Sequence, residues 1–237
     1  MASIVVGPGI AVGPGITIAS TPAPTPVSAG LQVYLDAGNA ASYPGSGTTW
    51  TSLVNGYTGT LQAGTSYSAS NGGVISFNGT SGYVTLLNTT FRALTNNFSV
   101  EYWYQSNNNR PGLMNNGSGS NGFVFGYFSS TPTNFKATKY GVIDIFVGAI
   151  PQNTAWHQAV LTYSSTTGTR VYVDGALSSP TSANTGNLTP GNTTFNIGVS
   201  EGNYHNGGIG IVRWYNTVLS AADVSQNFEA DRARYGI

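Results

Sequence analysis

From Leu31 onward, apolar and polar residues alternate in short runs, and each run is closed by glycine, asparagine, serine or proline. The runs read "LQVYLDA", "GVISFNG", "GYVTLL", "FSVEYWYQ", "GFVFGYF", "GVIDIFVG", "WHQAVLTY", "TRVYVDG", "TFNIGVS" and "GIGIVRWY". A period of two marks a strand, because successive side chains point to opposite faces of a sheet. Many short strands with frequent turn signals predict a β-sandwich or barrel. Trp103, Val160, Leu161, Val171, Val173, Phe195, Ile197 and Ile211 are expected in its core, between two antiparallel sheets. Trp156 and Trp214 fall in strand patterns as well and read as core.

The period changes at the C-terminal end. Val224 and Phe228, with Ala221, recur at helical spacing, and Ser220 stands where a helix cap belongs, with Asp223 three residues on. One short helix is predicted there.

The N-terminal end has a different pattern. "IVVGPGIAVGPGITI" is three β-branched triplets separated by two Gly-Pro-Gly turn signals. Ile4, Val6, Ile10, Val12, Ile16 and Ile18 would share one face of such strands. The segment has no second layer of its own to cover that face, so it needs another surface to become ordered. Residues 1–20 are therefore read as a docking or oligomerisation arm. Three arms in a trimer, an exposed sheet edge on another subunit, or the chain's own domain would each supply the missing layer. Pro22, Pro24 and Pro26 favour an extended conformation and make residues 21–30 a Pro-rich linker. The β domain would then span residues 31–237.

Composition narrows the partners. Eight basic residues balance eight acidic ones, for a formal net charge of zero. A nucleic-acid binder would need a basic stripe, and no run of apolar residues is long enough for a membrane span. Cysteine is absent, which excludes disulfides and thiolate metal sites. The apolar start lacks the basic region of a signal peptide and is broken by glycine and proline. A surface rich in Gly, Ser, Thr and Asn and poor in Lys suits a subunit of a dense assembly. The six Asn-x-Ser/Thr sequences, at Asn78, Asn88, Asn97, Asn116, Asn187 and Asn192, are expected by chance in so Asn- and Thr-rich a chain.

The segment "WHQAVLTYSSTTGTRVYVDGALSS" resembles the hairpin of the laminin-G-like, concanavalin-A-like jelly-roll superfamily. "NFSVEYWYQ", "VISFNGTSGYVTL" and "GGIGIVRWYNTVLSAADVSQNFEADRARYGI" agree with other parts of that domain. "LQVYLDAGNAASYPGSGTTWTSL" is similar to the opening strand of copies found in tailed-bacteriophage virion proteins. The resemblance covers residues 30–237. It implies an all-β, antiparallel jelly-roll sandwich with one short C-terminal helix, here with an extended N-terminal arm. It implies less about function, because this fold hosts lectins, adhesion modules, glucanases and structural domains.

Three kinds of chemistry bear on this chain: catalysis, metal binding and sugar binding. Glycoside hydrolysis needs paired carboxyl groups, and the Glu-x-Asp-x-x-Glu strand of glucanases with this fold is missing. Glu101 reads as structural, Asp174 as a turn residue before Gly175, and His157 as a partly buried strand histidine. No catalytic residue is assigned and no enzyme is expected. Calcium wants six to eight oxygens with negative charge among them. Asp36, and Glu201 with Asn203, are the only seeds for such a site, and no other cofactor is called for. A glycan site needs an aromatic face with amide or carboxylate partners. Tyr43 and Trp50, and then Tyr204, His205 and Asn206, are the loop residues that would offer one. The Asn-rich run "QSNNNRPGLMNNGSGSNG" is a long loop of the kind that often carries function.

The expectation is a structural virion protein on the outer surface of a tailed phage, a capsid decoration or head-fibre protein. Its arm would bind other virion proteins and make a homo-oligomer, with a trimer as the expected stoichiometry. The alternatives are a tail-fibre or receptor-binding lectin for host glycans and a secreted carbohydrate-binding module.

Overall fold

A computed structural model describes residues 24–87, 96–107, 114–115, 122–127, 135–139, 143–147, 150–151, 153–183, 185–186, 194–200 and 202–237. The arm residues Ile4, Val6, Ile10, Val12, Ile16 and Ile18 lie outside them.

Two antiparallel sheets face each other. The first has eight strands. Its order is Ala176–Ser182, Gly168–Val173, His157–Ser164, Asn97–Ser106, Asn206–Tyr215, Val74–Asn78 and Thr65–Ser68. Leu31–Asp36 pairs with the second half of Asn206–Tyr215. The second sheet also has eight strands. It runs Ile143–Val147, Phe135–Lys139, Phe123–Tyr127, Met114–Asn115, Thr194–Ile197, Val84–Leu87, Thr58–Leu61 and Thr49–Thr51.

The alternation of side chains decides what each face buries. In Asn97–Ser106, Phe98, Val100, Tyr102 and Tyr104 point between the sheets, where they meet Leu161, Val171, Trp214, Phe195 and Ile197. On the outward face of the second sheet, Thr49, Thr60, Thr85 and Asn196 stand in one cross-strand row, with Thr85 Oγ1 donating to Asn196 Oδ1 at 3.2 Å. β-Branched residues are favoured on such a half-solvated surface.

The outward face of the first sheet is not left to solvent, and here the core expectation is corrected. Trp103 and Ile211 are buried, but in a separate cluster with Val74, Trp156 and Tyr235 on the far side of the sheet. Val160 belongs to a third cluster with Tyr172, Tyr215, Leu219 and Val224. Val173 is half-buried against the main core. A third layer covers these residues. It is the C-terminal helix Ala221–Asp231, followed by the 3-10 turn Arg232–Tyr235.

The helix starts where its cap predicts. Ser220 Oγ accepts from Asp223 N at 3.2 Å and Asp223 Oδ2 accepts from Ser220 N at 2.8 Å, a reciprocal capping box. Val224 is buried and Phe228 stacks on Trp103, with centroids 5.7 Å apart and planes 6° from parallel. Ala221 is exposed, and Asn227 takes the buried place beside Val224. The helix also holds part of the segment read as a linker, where Val27 packs on the third cluster. Val27 N donates to Asn227 Oδ1 at 2.7 Å, and Gln226 Nε2 donates to Thr25 O at 2.8 Å.

Candidate functional site

Under the helix, the outward face of the first sheet carries a buried ionic network. Register places Glu101 opposite Arg213, and both side chains are fully buried. Arg213 Nη1 donates to Glu101 Oε1 at 3.0 Å and to Asp231 Oδ2 at 2.6 Å. Its Nη2 donates to the Tyr34 hydroxyl at 3.1 Å, and the guanidinium lies over the Tyr34 ring. Gln158 Nε2 and Asn227 Nδ2 donate to the two oxygens of Glu101 at 2.9 and 2.6 Å. Burial pushes the Glu101 carboxyl up, with Arg213 opposing it. Burial alone would lower Arg213, but the Glu101 and Asp231 carboxylates outweigh that and hold it well above its ordinary value. A charge pair taken out of water this way depends on how far its remaining hydrogen bonds are filled: both Glu101 oxygens have partners within the protein, while Arg213 Nε is buried without one.

Where the helix and its tail stop covering the sheet, the same face opens into a cleft of about 210 Å³. Its floor carries Ser68 and Ser76 from two neighbouring strands and Gln105 from Asn97–Ser106. Asn71 and Asn107 stand at its rim, and Trp156 forms one wall. Gly208 makes room for that wall. A Cβ there would come 3.1 Å from the indole Cη2, tighter than ordinary contact.

The wall is held from behind by the chain's C-terminal tail. Tyr235 packs on Trp156 with centroids 4.6 Å apart. Trp156 Nε1 donates to Asn71 Oδ1 at 3.1 Å. Asn71 has φ of 49°, a left-handed conformation that asparagine tolerates better than most residues. Arg234 grips the turn around it. It donates to Asn71 O at 2.8 Å and Gly73 O at 2.6 Å, and its Nη1 pairs with Asp36 Oδ1 at 2.6 Å. Among the described residues, Gln105, Asn107 and Ser76 make no side-chain hydrogen bond, so they face the cleft uncommitted.

The residues singled out from the sequence have a mixed fate. Tyr43 is 4% exposed and Trp50 is 0% exposed, both in the inter-sheet core, so neither presents an aromatic face to a ligand. Glycine- and serine-rich surroundings made them read as loop aromatics, whereas Trp50 sits in the strand Thr49–Thr51 and points inward. His205 is also fully buried, set edge-on to Phe77 with ring centroids 5.5 Å apart, and is not an open loop residue. Tyr204 and Asn206 are half-buried. Asn206 O accepts from Asn107 N at 2.7 Å, which fixes the rim of the cleft.

Asp36 has its carboxylate on Arg234, so a guanidinium already stands where a cation would sit. Asn203 is half-buried in a two-residue strand, and Glu201 lies outside the described residues. Among the described residues, no group of three His, Cys, Asp or Glu side chains is placed to hold a metal. Asp174 has the positive φ expected of a turn, at 49°, and also a role the sequence did not reveal. It pairs with His157 Nδ1 at 2.7 Å and accepts from Gln158 N at 2.9 Å. His157 Nε2 lies 3.0 Å from Asn153 Oδ1.

Comparison with known structures places the fold in company. The binding domain of botulinum neurotoxin DC in complex with rat synaptotagmin II is similar, at 14% identity and a TM-score of 0.64, over 85% of this chain and 51% of that one. The same domain in complex with SialylT matches at 13% identity, with a TM-score of 0.64 and the same coverage. Trypanosoma rangeli sialidase in complex with sialic acid matches at 16% identity and a TM-score of 0.61, over 86% of this chain and 33% of that one. The chain thus spans about half of the neurotoxin chains it matches, and at these identities the likeness is one of fold. No curated protein matches the chain in sequence. The family profile described as concanavalin A-like lectin/glucanases superfamily, of the laminin-G type, matches residues 78–225. With more than half of its length matched, and with the two facing antiparallel sheets that such a domain requires, the chain belongs to that superfamily.

Proposed function

We propose that the chain is a non-catalytic display protein of a tailed-phage virion, a decoration or head-fibre protein whose arm docks on other virion proteins. The observation that carries the non-catalytic part is the fate of its carboxylates. Of the eight acidic residues, the six whose side chains are described, Asp36, Glu101, Asp174, Asp223, Glu229 and Asp231, each hold a cation, a histidine or a helix cap. A glycosidase needs two carboxyl groups free to face one bond. The virion part rests on the arm's repeated triplets and on the likeness of residues 31–53 to the opening strand of phage virion domains. Many symmetric copies would let a weak arm bind through avidity. Imaging the intact particle tests this: the jelly roll is expected on the outer surface, with residues 4–18 against another subunit. A particle that lacks the chain would refute the virion role.

The cleft beside Trp156 favours a second reading, that the displayed domain also binds glycans. It is concave, it is lined by side chains that both donate and accept, and it is built on rigid strands. The structural neighbours in complex with SialylT and sialic acid make the fold a plausible host for such a site. A glycan array probed with the purified protein tests that reading.

A further inference from the structure

We propose that the cleft between Gln105, Ser76, Asn71 and Trp156 is a binding site for a single neutral sugar ring, and that it selects against anionic sugars. This rests on the glycan-binding reading above and adds where the ligand sits and what its charge must be.

The size comes first. About 210 Å³ is less than the roughly 300–1,000 Å³ of sites that enclose drug-sized ligands. A single ring with its hydroxyl groups fits such a space, and a longer chain would have to leave through the open side.

The chemistry of the lining comes next. Its polar residues are serine, asparagine and glutamine, and none of the lining residues carries a charge. A carboxylate or phosphate in a cleft calls for arginine, lysine or a helix N-terminus. The nearest guanidinium with a described role, Arg234, is spent on Asp36 and on two backbone carbonyls behind Asn71. Amides and hydroxyls suit the alternating donors and acceptors of a neutral polyol, because each can do both. Gln105 and Asn107 supply two amides and Ser76 a hydroxyl, all uncommitted among the described residues. Val74 and Gly208 line the apolar side of the cleft, with the Phe77 ring turned away into the inter-sheet core.

Preorganisation is the third argument. The Asn71 turn is held by Arg234, and the Trp156 wall by Asn71 and Tyr235. A site whose wall and rim are already held has fewer groups to order on binding.

The test uses the full chain labelled with 15N and titrated with methyl glycosides of glucose, galactose, mannose and N-acetylglucosamine, and separately with the methyl glycoside of N-acetylneuraminic acid. The Trp156 indole signal, assigned with Trp156→Phe, reports the cleft. The expected result is a shift of that signal by at least one neutral glycoside, with no such shift from the N-acetylneuraminic acid glycoside. Gln105→Ala should weaken the affinity at least tenfold, while Leu87→Ala, exposed on the other sheet, should leave it unchanged. Cleft binding by the N-acetylneuraminic acid glycoside alone would overturn the neutral assignment but keep the glycan reading. Binding that leaves Trp156 unmoved and survives Gln105→Ala would overturn the cleft as the site. Absence of binding by every saccharide on an array would overturn the glycan reading itself.

Discussion

Trp103 lies flat against Tyr235, with ring centroids 4.5 Å apart and planes 14° from parallel. The stack joins the middle of the first sheet to the last residues of the chain. Phe228 packs on Trp103 as well, and Trp156 packs on Tyr235. Four aromatic rings thus form one seam between the sheet and its third layer. The edge of that seam is the wall of the cleft.

Truncating the centre of this seam should be costly. Trp103→Ala is expected to destabilise the fold by about 3–5 kcal/mol, as large-to-small changes in a packed core do. Chemical denaturation followed by circular dichroism checks it. A loss below about 1 kcal/mol would mean that the third layer contributes little to stability.

Part of this was legible in the chain and part was not, for physical reasons. The helix start was legible, because a capping box is a local device and Ser220 and Asp223 are three residues apart. The two sheets were legible from alternation. The side on which Trp103 falls was not. "VEYWYQ" is apolar at both parities around Glu101, since a strand covered on both faces reads as a continuous run. Only the register with Gln158 and Ile211 places Trp103 on the outward face. The cleft was illegible because Ser68, Ser76, Asn71, Gln105 and Trp156 come from separate segments. Serine and asparagine are also so common here that none stands out. Gln105 and Asn107 did lie at the start of the Asn-rich run marked as a functional loop.

Arg234 should be a positioning residue for the cleft. Its fork spans a carboxylate and two carbonyls, a geometry that a lysine ammonium cannot reproduce. Arg234→Lys is expected to raise amide exchange across residues 70–73 and to broaden the Trp156 indole signal, with the Asn97–Ser106 strand unaffected. Unchanged exchange at Asn71 and Gly73 would show that the turn holds itself.

The Asn227 side chain ties three parts of the chain together. Its Nδ2 donates to Glu101 and to the Tyr215 hydroxyl, and its Oδ1 accepts from Val27 N. Asn227→Ala leaves a buried carboxylate short of one donor, which costs about 1–3 kcal/mol. Limited proteolysis should then cut faster near Val27, at the root of the arm. Equal cleavage rates in variant and wild type would place the anchor of that segment elsewhere.

The Glu101–Arg213 pair makes a prediction about pH. Burial raises the Glu101 pKa in the folded state, so the folded protein holds that proton more tightly than the unfolded chain does. The stability this contributes is complete below the ordinary glutamate value of about 4.3 and is lost as pH rises through the folded value. Glu101→Gln, a neutral isostere, lacks that dependence. Wild type should therefore exceed Glu101→Gln in stability by more at pH 4 than at pH 7. Removing the cation instead, with Arg213→Ala, leaves Glu101 and Asp231 unpaired and should cost about 3–5 kcal/mol at neutral pH. It should also raise the Glu101 pKa further and steepen the fall in stability with pH. Urea titrations of the three proteins at pH 4, 5.5 and 7 separate these effects. If the gap between wild type and Glu101→Gln widens with pH instead, Arg213 outweighs burial and the ionised form of Glu101 is the favoured one.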